Sequence, residues 1–180
     1  MDRVLVKPIL LLCLVLCSAL QLQAQKKQAV FLEILGSSSL VGVHYDARFN
    51  NHTKWGYRAG LAFSFSKTTI NFMGQYNEQT AAWMVPLAVN YLLGNKKHAF
   101  EMGLGVNQGV YRLKATYQGA KYTERKYEAF AFMDLGYRLQ TRRGFLFRVG
   151  LTPAVGLSSK FKGDKNFALA PYLSFGYCCY

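Results

Sequence analysis

From Gln28 onward, apolar and polar residues alternate with a period of two. That spacing puts successive side chains on opposite faces of a strand. Trp55, Tyr57, Ala59, Leu61, Phe63 and Phe65 share one face of Trp55–Phe65, and Gly56, Arg58, Gly60, Ala62 and Ser64 share the other. Leu40–Phe49, Ala81–Leu93, Ala99–Tyr111, Tyr127–Leu139, Phe145–Pro153 and Ala168–Cys179 repeat the pattern. Gln28–Leu35 is shorter, and Glu33 interrupts its apolar run. Between the first two segments, Gly36-Ser37-Ser38-Ser39 reads either as a turn or as a bulge in one long strand.

The connections alternate in length. Asn50–Lys54, Gly94–His98 and Gln140–Gly144 are short, whereas Ser66–Thr80, Arg112–Lys126 and Ala154–Phe167 are long. Transmembrane barrels have short periplasmic turns and longer extracellular loops, and bacterial ones carry an even strand number. Counting Gln28–Leu35 separately gives eight strands with both termini in the periplasm. Side-chain size sets the orientation. The interior of an eight-stranded barrel is only just wide enough for its own side chains. Trp55, Tyr57, Phe63, Trp83 and Phe147 would overfill it, whereas Gly, Ala and Ser dominate the other face. The rings therefore point outward, towards lipid. Phe49, Trp55, Tyr91, Phe100, Tyr137, Phe145 and Tyr177 lie near the short turns, where an aromatic girdle would sit. The expected fold is all-β: an eight-stranded antiparallel up-and-down transmembrane β-barrel. A secreted, soluble, lipocalin-like barrel binding an apolar ligand is the alternative, with the opposite polarity.

The N-terminus fits this reading. Arg3 and Lys7 precede an apolar stretch, Ile9–Leu20, and Leu22-Gln23-Ala24 follows. These are the parts of a secretory signal peptide, cleaved after Ala24. Residues 1–24 are thus the signal peptide and 25–180 the barrel domain. Lipidation at Cys17 is disfavoured by the bulky Leu16 before it. Cys178 and Cys179 are adjacent and point to opposite faces of a strand, which disfavours a bond between them. No metal-ligand spacing or cofactor motif is present, so no cofactor is expected.

The net charge of +13 invites a nucleic-acid reading, but an exported barrel makes nucleic acid a poor partner. On the lumen face the charges nearly cancel: Glu33, Asp46, Glu101, Glu128 and Asp134 against Arg48, Arg58, Arg138 and Arg148, with His44 among them. Buried charges need partners, so a paired polar core and a plugged barrel are expected. The basic excess falls elsewhere. Arg112, Lys114, Lys121, Arg125 and Lys126 crowd one expected loop, and Lys160, Lys162 and Lys165 another. Such loops either bind lipopolysaccharide phosphates, which suit Arg and Lys, or are simply solvated. Lys96, Lys97, Arg142 and Arg143 read as solvated turn ends.

Catalysis needs a nucleophile and a base within hydrogen-bond reach. His52 and His98 fall in short turns, whereas His44 faces the lumen beside Asp46, with Ser37–Ser39 or Ser64 as possible partners. A lipid-A-modifying enzyme centred on His44 is therefore an alternative to a non-enzymatic barrel. Gly103-Leu104-Gly105 has no helix after it and is not a phosphate loop.

The signal peptide, the alternating strands and the strand–turn spacing together resemble the small outer-membrane β-barrel family, including the OmpA/OmpX-like barrels. Val85-Pro86-Leu87-Ala88-Val89-Asn90-Tyr91-Leu92-Leu93-Gly94 and Gly136-Tyr137-Arg138 also look like stretches from that family. The resemblance implies partners in outer-membrane lipid, lipopolysaccharide and the outer-membrane assembly machinery, and it transfers no catalytic residue. That machinery reads a last strand ending in an outward aromatic. Here Tyr177 is in phase, Cys179 takes the expected aromatic position, and Tyr180 is one residue out.

Overall fold

The alternating segments form eight antiparallel strands: β1 (Gln28–Leu35), β2 (Val41–Arg48), β3 (Trp55–Ile70), β4 (Tyr76–Gly94), β5 (His98–Tyr117), β6 (Ala120–Gln140), β7 (Phe145–Gly156) and β8 (Phe167–Cys179). Each pairs with the next, and β1 pairs with β8 from Gln28↔Cys179 to Leu35↔Tyr172, closing the barrel. The computed structural model describes residues 28–50, 52–70, 76–94, 97–117, 120–157 and 167–179. The expected signal peptide, the Cys17 alternative, Lys96, Lys160, Lys162, Lys165 and Tyr180 lie outside the described residues.

Polarity across the wall is inverted relative to a soluble protein. Leu61, Phe65, Trp83, Val110 and Tyr177 are exposed on the outside, and Leu104 is 68% exposed. Arg138 and Arg148, by contrast, are 2% and 0% exposed, inside. A soluble lipocalin-like barrel requires the reverse. In lipid the arrangement is favourable, because apolar side chains meet hydrocarbon and closure leaves every strand paired. Small residues make room for the large polar ones. His44 lies opposite Gly60 and Arg48 opposite Gly56, and a Cβ on either glycine would run into the facing side chain.

Of the connections, one open reading is settled and one expectation changes. Gly36–Ser38 forms a 3-10 turn, not a bulge, and all three residues are buried. The turn folds into the barrel and touches β3, β4, β6, β7 and β8. Leu35 and Ser39 flank it at φ 62° and 60°, left-handed conformations that non-glycine residues seldom adopt. The correction concerns the long loops. The stretches expected as loops at Ser66–Thr80 and Arg112–Lys126 are largely strand. β3 and β4 stay paired to Ile70↔Tyr76, and β5 and β6 to Tyr117↔Ala120. Alternation marks a strand only where one face is apolar. On β3 and β4 the extensions are largely polar on both faces, so the ladder continues where its hydrophobic signal stops, whereas on β5 the outer phase turns basic at Arg112 and Lys114 while Leu113 and Ala115 hold the inner one.

Candidate functional site

The lumen is the polar centre of the molecule. Alternation turns Glu33 (β1), Asp46 (β2), Glu101 (β5) and Asp134 (β6) inward, together with Arg48 (β2), Arg58 (β3), Arg138 (β6) and Arg148 (β7). Acids and guanidiniums are balanced one for one, and each acid has an arginine. Arg148 grips Glu101 with two bonds, Nε to Oε2 at 2.9 Å and Nη2 to Oε1 at 2.8 Å. Its Nη1 donates to Glu33 Oε2 at 3.0 Å. The same guanidinium lies 4.5 Å from the Phe31 ring centroid and 5.0 Å from that of Tyr172, a cation–π arrangement.

The other pairs extend the network both ways. Towards the short turns, Asp46 accepts from Arg48 Nη2 at 2.6 Å and from Arg138 Nη2 at 3.2 Å. Arg138 also reaches Glu101 at 3.3 Å. Asn90 donates to Asp46 and, at 3.3 Å, to Glu101, while accepting from Arg48 at 2.6 Å. Towards the long hairpins, Arg58 pairs with Asp134, which also accepts from Thr152 Oγ1 at 2.6 Å.

The inward 3-10 turn docks onto this network. Ser37 and Ser38 Oγ donate to Glu33 Oε1 at 2.6 and 3.1 Å. Asn107 Nδ2 donates to the Ser37 carbonyl at 2.6 Å. Ser38 Oγ is also 2.7 Å from His44 Nε2, and the His44 ring stacks on Phe31 at 5.2 Å. His44 is 1% exposed and Ser38 0%. His44 Nδ1 has no hydrogen-bond partner among the described residues. Ser38 is thus the serine beside His44, and Asp46 turns to the arginines instead.

Of the residues expected in the lumen network, Glu128 takes no part in its ion pairs and is only half-buried. It lies above the central layer, on the extended part of β6. Ser37, Ser38, Asn90, Asn107, Thr152 and Ser174 join the network, beyond the residues that their charge singles out in the sequence. The inward phase of the four on strands is readable there, whereas Ser37 and Ser38 lie in the turn, and the ion pairs that recruit all six form between distant strands. His98 bonds to the Tyr137 hydroxyl at the short-turn end. Cys178 is buried and Cys179 exposed, both with free thiols. The cations expected in a loop lie on strands instead. Arg112 and Lys114 are on β5, and Lys121, Arg125 and Lys126 on β6.

No protein-family model matches the chain, and no curated protein matches it. Solved structures do. A major outer membrane protein from Thermus thermophilus superposes with a TM-score of 0.66 at 11% identity, over 86% of this chain and 99% of that one. Ail, the attachment invasion locus protein of Yersinia pestis, superposes with a TM-score of 0.50 at 13% identity, over 86% and 97%. By its closed topology, its inverted polarity and these likenesses, the chain has the transmembrane fold of the small outer-membrane β-barrel proteins.

Proposed function

We propose that this chain is an integral outer-membrane barrel of a Gram-negative envelope, non-enzymatic, with a plugged lumen, and with a structural or surface-binding role carried by its outside. The observation that carries the reading is the lumen network under the inward 3-10 turn. Arg148, at 0% exposure, binds Glu33 and Glu101 across the bore. Charges held this way are paired with one another across the bore, which leaves them poorly placed to conduct ions or bind a solute. Removing one partner of a buried pair costs about 3–5 kcal/mol, so the plug is not readily opened. Purified protein in planar bilayers should give no steady ion conductance. Persistent channels of constant size would overturn the plugged reading. Insertion by the outer-membrane assembly machinery is part of the same proposal, with β8 as the strand presented.

One observation favours an enzyme, the Ser38–His44 contact at 2.7 Å. Two facts weigh against it. Both residues are buried, and no carboxylate accepts from His44 Nδ1 among the described residues. A working nucleophile needs substrate access and a positioned base. Cells expressing wild type and His44→Ala should therefore give the same lipid A mass profile as cells lacking the protein. An acyl-chain change present with wild type and absent with His44→Ala would instead establish the enzyme.

A further inference from the structure

The extensions of β3–β6 sort their charges between two register phases. The outward phase of the apolar band continues into Lys67 on β3, Arg112 and Lys114 on β5 and Arg125 on β6, all exposed. Lys121 holds a further position of that phase on β6, opposite Thr116. Glu124 and Glu128 hold the inner phase, with Lys126. Lys126 pairs with Glu124 there at 3.2 Å. Lys67, Arg112, Lys114 and Arg125 make no ion pair with any described residue. A ribbon that was merely solvated has no reason to separate its signs in this way. Moreover, Arg112 and Arg125 are directly opposite each other, where like charges destabilise a sheet. An anion between them removes that repulsion.

The cations begin where the apolar span ends. The outward runs Trp55–Phe65 and Phe100–Val110 match the roughly 9–11 residues a tilted strand needs to cross hydrocarbon. Lys67 and Arg112 are the next outward positions. Near that border Gln108, a polar residue on the outer face, accepts from the Tyr127 hydroxyl at 2.6 Å. Below it the regular pairing is interrupted at two prolines, which cannot donate to a ladder, and the wall carries two grooves. The β3–β4 pairing breaks at Pro86 and the β6–β7 pairing at Pro153. One groove of ≈ 350 Å³ is lined by Ala59, Leu87, Leu104 and Val106, and another of ≈ 200 Å³ by Leu104, Ala131, Met133 and Val155. At about 3.4 Å per residue and a tilt of about 40°, Val106 sits roughly 15 Å below Arg112. That is about the length of a fatty-acyl chain.

We propose that this outer face binds one phosphorylated, multi-acyl glycolipid of the outer leaflet. Its phosphate is held between Arg112 and Arg125 with Lys67 and Lys114 alongside. Its acyl chains lie in the grooves on either side of Leu104. The proposal rests on the outer-membrane placement above and adds a ligand and a site to it.

The test uses full-length mature protein in phosphatidylcholine vesicles doped with bisphosphorylated lipid A. Flotation reports insertion, heat-modifiable gel mobility reports folding, and native mass spectrometry counts retained lipid. Wild type should keep one lipid A through extraction. Arg112→Gln/Arg125→Gln should keep at least about tenfold less, since it loses two charge-assisted contacts, whereas Lys126→Gln on the inner face should match wild type. Lipid A stripped of its phosphates, tested on unaltered wild type, should be lost as readily as in the double variant. Inorganic phosphate and phosphatidylglycerol should compete poorly, because the site takes phosphate and several chains together. Equal retention of phosphorylated and stripped lipid by wild type, or by wild type and a folded double variant, overturns the proposal. Effective competition by phosphatidylglycerol overturns its glycolipid specificity. Failure of wild type to float overturns the membrane placement, and this proposal with it.

Discussion

Among single residues, Arg148 is the centre of the barrel. It satisfies two carboxylates on two different strands and is sandwiched by Phe31 and Tyr172. Arg148→Ala leaves Glu33 and Glu101 sharing fewer donors in a water-poor site, so unfolding free energy should fall by about 3–5 kcal/mol. Urea titration of the protein in detergent micelles or vesicles measures this. Lys126→Gln, which breaks only an exposed pair, should stay within about 1 kcal/mol of wild type. Equal behaviour of the two variants would mean that the lumen pairs contribute no more than surface ones. The inward phase of most of these charges is readable from alternation alone, because a strand allows only two directions for a side chain. Which acid meets which arginine is not. Glu33 and Arg148, for instance, are brought together by closure of β1 onto β8 and of β8 onto β7, a long-range event with no local trace.

Among the elements, the 3-10 turn Gly36–Ser38 and the β3–β6 extensions carry what the sequence leaves open. Gly36 sits at φ +58°, and a Cβ there would come within 2.6 Å of Tyr172 Cβ. Gly36→Ala therefore meets both a disfavoured backbone conformation and a clash. The expected loss is about 1–3 kcal/mol, read by the same urea titration. A neutral result would mean that the turn is free to leave the lumen, which would weaken the plugged reading. The extensions are hidden in the sequence for a different reason. In Trp55–Phe65 one face is apolar and the strand declares itself. On β3 and β4, at Lys67 and Gln79, the outward face is polar, like the inner one at Ser66 and Thr80, and period two carries no contrast. The meaning of the basic residues changes with the element that holds them. On a loop their spacing is incidental, whereas on paired strands it fixes Arg112 opposite Arg125.

Across the whole molecule, polarity is inverted. Charge is buried and paired, and rings and aliphatic chains are displayed. In water this arrangement would expose a large apolar surface, and in hydrocarbon the same surface is matched to its solvent. The fold class is legible because side-chain size constrains a narrow barrel: bulky rings do not fit inside, so they must be outside. The chain's two tryptophans make this measurable. Trp55 is 51% exposed near the short turns, and Trp83 is 59% exposed near the opposite rim. Both point outward, and neither is near the middle of the wall. The decisive experiment is tryptophan fluorescence in vesicles of lipids brominated at defined depths. Bromine near the headgroup end of the acyl chains should quench both tryptophans strongly, and bromine near the chain ends should quench them less. Fluorescence unaffected by brominated lipid at every depth would place the rings inside the barrel or the protein outside the membrane, and would refute the lipid-facing orientation.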